Sequence, residues 1–364
     1  MGHEFFIQPE VRKLIEARGE DLIRQLGWKV VRQVIFDIMC GGNLRDATEM
    51  LTRRRLGVLN AALLASWIGD ERTWEQRLEE ASALLERGKP TKTERWIAQW
   101  LLGLTDKAFQ NVLRDSAKKL ADYRKIYLQT LQEVAEESEQ TFGPLKGHLS
   151  LKGQTQQVEW ETVLLLMSAI GAQTLTIRGS EKSLYGKLFE PLVLGTLLFS
   201  LGFTFVADES KISHSPRRVF FLSSEATSGR ESDATLIYEP GRGIRFDLGF
   251  IGRGNPEISL DKVTRFEREM EEAGKRFAMT TLIIVDRIGK RSRLPQLAER
   301  TGAHIVQMSM GYWPKIVAEI LYQEVGYEHC LLGMEDAEVR QFLRDRVAEA
   351  PLEEFLRARL RDNG

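Results

Sequence analysis

Two apolar runs on either side of a Pro-Gly step constrain this chain more than any other feature. Residues 234–238 (Ala-Thr-Leu-Ile-Tyr) and 244–251 (Ile-Arg-Phe-Asp-Leu-Gly-Phe-Ile) flank Glu239-Pro240-Gly241-Arg242-Gly243. Strand-forming residues around such a turn signal predict a β-hairpin. A turn centred on Pro240 sets Asp233 directly opposite Asp247, with Cβ atoms roughly 4.5–5.5 Å apart. Two carboxylates at that distance repel, and a divalent cation between them relieves the repulsion. Mg²⁺ is commonly held by one or two carboxylates while waters and substrate phosphate complete its octahedron. A slip of one residue turns one aspartate to the opposite face, and both then read as ordinary strand-end residues in solvent.

Around this hairpin the texture of the chain changes from helical to mixed. Residues 1 to about 142 carry helical periodicity at 9–26, 28–39, 44–54, 58–68, 73–87, 91–102 and 106–140, with Gly-containing breaks at Gly41-Gly42, Gly57 and Gly88. The segment 141–153 reads as a linker, because Gly, Pro and polar residues replace the periodic pattern. Helices at 158–172 and 181–200 follow, then strands at 203–206, 218–222, 234–238, 244–251, 280–285 and 303–308, an amphipathic stretch at 256–277 and a charged terminal helix at 337–361. That order predicts an α/β or α+β fold with a mixed central sheet flanked by helices. With 364 residues, two compact units are expected, an all-helical one at 1–150 and a mixed one at 151–364.

Composition excludes several classes. The chain is 43% hydrophobic and 28% charged, which is ordinary for a folded protein, and its formal net charge of −1 rules out a uniformly basic coat. Any nucleic-acid binding must use local clusters. Two cysteines make neither a disulfide framework nor a four-cysteine zinc site, so a reducing cytoplasm is the expected location. Neither HExxH, GxSxG nor a P-loop lysine motif occurs. The apolar stretch 188–206 holds Pro191, Gly195 and Gly202 and is expected to be a buried helix running into a strand rather than a membrane span.

An apolar helix bearing Glu190, a hairpin with Asp233 and Asp247, then a helix and a further strand resemble the PD-(D/E)xK nuclease core of type II restriction endonucleases, over about residues 180–290. Within that class the Asp-Leu-Gly-Phe-Ile-Gly and Gly-Asn-Pro-Glu segments look most like the CfrBI-type group. The resemblance implies that Asp233 and Asp247 bind Mg²⁺, that Glu190 is the helix carboxylate aimed at the metal, and that the substrate is double-stranded DNA. It also implies a homodimer, since a palindromic site requires two related active sites, and a cognate DNA methyltransferase as functional counterpart rather than stable partner. A salt bridge to Lys187 or an arginine is the alternative for Glu190.

The third position of the motif departs from the family. Lysine is expected two residues after Asp247, where it stabilises the attacking hydroxide and the phosphorane charge, and Gly249 stands there. Two arrangements answer this. In one, Asn255 caps a helix begun by Pro256, with Glu257 in its first turn, and Lys262 on the flank of its apolar stripe reaches back to the hairpin. In the other, Asp247 is the first acid and Glu257 the second, with Ser259 in the lysine position, at the cost of a proline in a strand. The loops before and after the hairpin carry Arg217, Arg218, Arg230 and Arg253, which are candidates for DNA contact, solvated loop ends being the plainer reading. A structure-specific repair or recombination nuclease, and a non-catalytic DNA-binding protein with a dead site, remain the competing functions.

Overall fold

The structure, a computed structural model, describes residues 21–23, 27–68, 72–87, 90–113, 117–207, 217–223, 232–250, 278–286, 288 and 302–360. It divides into two compact units, residues 1–18 with 50–182 and residues 19–49 with 183–364.

The helices are α1 (Trp28–Met39), α2 (Leu44–Ile68), α3 (Trp74–Arg87), α4 (Lys92–Leu101), α5 (Ala117–Phe142) and α6 (Trp160–Ser200), and later α7 (Trp313–Val325), α8 (Asp336–Glu349) and α9 (Leu352–Leu360). In the first unit Trp67, Leu78, Trp96, Trp100, Leu120, Leu131 and Leu165 share one core. The helical periods of the sequence supply these residues at spacings of three and four. Helix α4 starts on a reciprocal capping box between Thr91 and Glu94, which satisfies two otherwise orphaned amides. Gly57 does not end α2, which runs through it; a helical glycine costs only about 1 kcal/mol.

Between α5 and α6 the expected linker is instead an antiparallel hairpin of β1 (Gly147–Leu151) and β2 (Gln154–Val158). The expected pair of helices at 158–200 is one helix, α6, which continues through Pro191. An interior proline costs about 3 kcal/mol, and here it stands among Phe189, Leu192, Val193, Leu194, Leu197 and Leu198, all fully buried, whose burial at roughly 1.5–3 kcal/mol per side chain offsets that loss. Helix α6 is long and apolar enough to cross a membrane by length and composition, yet this end of it is consumed by the protein's own core.

The second unit is built on a six-stranded mixed sheet in the order β3 (Thr204–Phe205), β4 (Val219–Leu222), β5 (Ala234–Glu239), β6 (Arg242–Gly249), β7 (Ala278–Val285), β8 (His304–Gln307). Strands β4, β5 and β6 form an antiparallel meander, and β6, β7 and β8 run parallel. All six lie where the β-branched and aromatic runs predicted them. On one face Phe220, Leu236, Ile244, Phe246, Leu248, Leu282 and Ile284 are fully buried. Phe355 of α9 packs on that side, its ring 6.1 Å from that of Phe220 and so close to Gly195 of α6 that a Cβ there would lie 2.6 Å from the ring. Helix α1 belongs to this unit, its Ile38 carbonyl accepting the indole N–H of Trp313 at 2.8 Å. The terminal helix is broken into α8 and α9 at Pro351, where the ring excludes a continuing helical bond.

Candidate active site

The pairing of β5 with β6 joins Ala234 to Phe246, Thr235 to Arg245, Leu236 to Ile244 and Ile237 to Gly243, and shifts only beside the turn. Residues directly opposite in an antiparallel pair share a face. Ala234, Leu236, Ile244 and Phe246 therefore form the core face, and Thr235 and Arg245 the other. Continued one step past the last paired residues, Ala234 and Phe246, this register would carry Asp233, in the bend before β5, opposite Asp247. Both aspartates are half-buried.

A backbone amide orients the first of them. Strand β5 begins at Ala234, so the next N–H on β6 has no strand carbonyl to meet; the Leu248 amide donates instead to Oδ2 of Asp233 at 2.8 Å. The main chain of Asp233 meanwhile stays with β4, its carbonyl accepting the Ser223 amide at 3.1 Å, and the Ser223 hydroxyl donates to the carbonyl of Ser232. The hydroxyls of Ser232 and Thr235 are 3.2 Å apart. Asp233 is thus held by its backbone to one strand and by its carboxylate to another. A hydrogen bond to a charged group is worth about 1.5–3 kcal/mol. A carboxylate offers about four lone-pair sites, so this bond fixes its direction without using up its capacity for a cation.

The donor set suits a hard divalent ion. Asp247 on β6 and Asp233 just before β5 are both oxygen donors, one of them pre-oriented, a donor type that fits Mg²⁺ with its preference for one or two carboxylates and several exchangeable oxygens. Among the described residues no three His, Cys, Asp or Glu side chains gather into a metal-binding group. Glu190 stands half-buried on α6 between fully buried Phe189 and Leu192. The aspartates lie at the carboxyl end of the parallel strands, Asp247 beside Ile283 and Gly249 beside Val285, the end at which open α/β sheets bind ligands.

Gly249 is buried on the same face as Asp247, so the position two residues after Asp247 brings no side chain to that face. Sequence reasoning passed over Arg245, two residues before Asp247 and on its face. The period of two along β6 was the signal for it. Arg217 and Arg218 are exposed, at the opposite end of β4 from Ser223. The four residues of β4, five steps of strand or about 16 Å, separate Arg218 from that end. The Arg218 guanidinium lies 5.7 Å and 5.3 Å from the ring centroids of Tyr238 and Tyr327. Lys262, Glu257, Arg230 and Arg253, and the helix expected at 256–277, lie outside the described residues.

With this geometry in hand, comparison with known proteins places the chain. The model of the CfrBI restriction endonuclease family matches residues 28–293, so the relationship takes in most of the helical half as well as the hairpin. The type II restriction enzyme CfrBI of Citrobacter freundii is 34% identical over 352 residues, covering 96% of this chain and 97% of that enzyme. No solved structure matches the chain. On both counts, the chain belongs to the CfrBI restriction endonuclease family.

Proposed function

We propose that this restriction endonuclease cuts double-stranded DNA through Mg²⁺ held by Asp233 and Asp247, with Glu190 as a further carboxylate. Family membership makes the chain a sequence-specific deoxyribonuclease, a class that generally uses a divalent metal. The observation that carries the assignment of residues is the register of β5 and β6 together with the Leu248 amide on Asp233. A Mg²⁺ ion held by these carboxylates would supply a water of lowered pKa and polarisation of the scissile phosphate. Asp233, aimed by the amide, presents its carboxylate in one direction. Asp247 supplies the second charge from the adjoining strand, and the buried core face behind them resists the register slip that would part them. Lys262 is assigned the positive charge that Gly249 cannot supply, with Glu257 at the start of the same stretch as the alternative acid. Arg217, Arg218, Arg230 and Arg253 are assigned to DNA phosphates or bases.

In the same reading the enzyme works in the cytoplasm as a homodimer, beside a methyltransferase that protects the host sequence. Residues 1–150 supply DNA contact or dimerisation and 151–364 the catalysis. Digestion of an unmethylated plasmid with Mg²⁺, followed by end mapping, tests this: discrete fragments with uniform ends are expected from the wild type and none from Asp233→Asn or Asp247→Asn. Smearing or branch-specific nicking would refute sequence recognition, and undiminished cleavage by either variant would refute the assigned carboxylates.

A further inference from the structure

The β1–β2 hairpin has properties that its packing does not explain. A lone two-stranded ribbon is marginal in water, and here every residue from His148 to Thr155 is exposed. Its root is nevertheless fixed, because the Trp160 indole N–H donates to the Gly143 carbonyl at 2.9 Å and the Phe142 and Trp160 rings lie 6.1 Å apart. The register, His148 opposite Gln157 and Ser150 opposite Thr155, makes one face wholly polar. The Ser150 and Thr155 hydroxyls are 2.9 Å apart on it.

Charge and turn chemistry point the same way. No Asp or Glu stands between Glu139 and Glu159, while Lys146, His148 and Lys152 do, in a chain where acids slightly outnumber bases overall. The two-residue turn is Lys152-Gly153, with φ of 52° and 82°, as a type I′ turn requires. Asn or Asp tolerates the first of those positions far better than lysine, so a lysine at the tip is held there against backbone preference.

We infer that this hairpin enters the major groove of the DNA substrate, its His148, Ser150, Thr155 and Gln157 face reading base edges and Lys152 meeting a phosphate. The inference rests on the nuclease reading above and extends it to recognition. A major groove about 12 Å wide admits a two-stranded ribbon, whose strands are about 4.8 Å apart. The His148–Gln157 and Ser150–Thr155 rows are two residues apart, about 6.8 Å at strand rise, which is about two base-pair steps of 3.4 Å. Gln pairs bidentately with adenine, and hydroxyls accept from or donate to any base. Leu149 and Leu151 lie on the opposite face.

The test uses the full-length enzyme without metal, with binding to its mapped cleavage site and to unrelated duplex measured separately. Gln157→Ala is expected to weaken site binding about 5- to 100-fold while leaving binding to unrelated duplex unchanged, so the ratio of the two falls. Lys152→Ala is expected to weaken both equally and to reduce the salt dependence by about one counterion. Thermal midpoints matching the wild type establish that the variants fold. Unchanged ratios for Gln157→Ala and for Thr155→Ala, in an enzyme that cuts and binds its site, overturn the inference while sparing the nuclease reading. A wild type that cuts nothing overturns both. Variants that sediment at half the wild-type mass make the hairpin a dimer arm and overturn it too.

Discussion

Two hairpins meet opposite fates in this chain. In β5–β6 alternate residues are large and apolar, and they are buried to the last atom at Leu236, Ile244 and Phe246. In β1–β2 the alternation is of hydroxyls, amides and two leucines, and the ribbon stands exposed. Both turns use a glycine at positive φ, Gly241 and Gly153. Local turn chemistry thus makes either hairpin, but only the apolar alternation decides whether it joins a sheet. In the reading proposed above, the hairpin locked by its core holds two carboxylates for a metal, and the one whose anchor among the described residues is its root offers its polar face to DNA.

The sharpest break in that comparison comes from the carboxylates. Asp233→Asn and Asp247→Asn are expected to lower single-turnover cleavage about 10³-fold or more, the scale of removing a principal charge-stabilising group, while metal-free binding to the site stays within a few-fold of wild type. Loss of binding in step with loss of cleavage would mean that the aspartates support the fold and not the chemistry.

Stability separates the hairpins next. Phe246→Ala removes a fully buried ring from β6 and is expected to cost about 3–5 kcal/mol. Leu149→Ala on the exposed ribbon should fall within about 0.5 kcal/mol of wild type. Urea unfolding of each variant measures both. Comparable losses at the two positions would mean that the β1–β2 ribbon is packed in solution.

Much of the second unit was legible because its signals are local. The period of two at 234–249, with Pro240-Gly241 between, set the turn and therefore the register, and the observed partners follow from it. The β1–β2 ribbon was not legible, because the alternation around Leu149 and Leu151 spans only four residues and Gln154-Thr155-Gln156-Gln157 holds no apolar residue, so the stretch reads as a polar connection. The unbroken α6 was missed for the converse reason. Gly171, Gly179 and Pro191 are local breakers, and the burial that overrides them, as at Leu192 and Leu197, is a tertiary effect. At the site, the acids were visible as residues, but the amide that aims Asp233 exists only once β5 stops at Ala234.

The cation of the site is the next point to sharpen. Arg245 shares the aspartates' face on β6, whereas Lys262 belongs to the stretch between β6 and β7. Lys262→Ala is expected to slow cleavage about 10²-fold with site binding retained, on the scale of losing one transition-state donor, and Arg245→Ala to slow it less. Single-turnover rates at saturating DNA distinguish them, and the reverse order would move the role of the absent lysine to Arg245.

The smallest expected effect concerns the turn end of the buried hairpin, away from the chemistry. There Arg242 donates to the Glu324 carbonyl at 2.6 Å and lies 3.5 Å from the Glu239 carboxylate. The Glu324 carboxylate accepts the Thr280 hydroxyl at 2.7 Å and meets His304 Nε2 at 3.0 Å. The Thr280 hydrogen bond, helped by the hydrogen bond and charge of His304 and by the charge of Arg242, holds the Glu324 carboxyl below the usual carboxylate range against the opposing pull of burial. A carboxyl depressed on folding contributes stability that is fully present above its unfolded value and is lost as pH falls through its folded one. Glu324→Gln should therefore be less stable than wild type at pH 7, and the gap should close as the solution is acidified past the carboxylate range. Partial exposure of the cluster keeps the gap small. Urea midpoints of the two proteins at neutral and at acid pH measure it; a gap that persists unchanged in acid would trace the loss to the shape of the side chain and not to its charge.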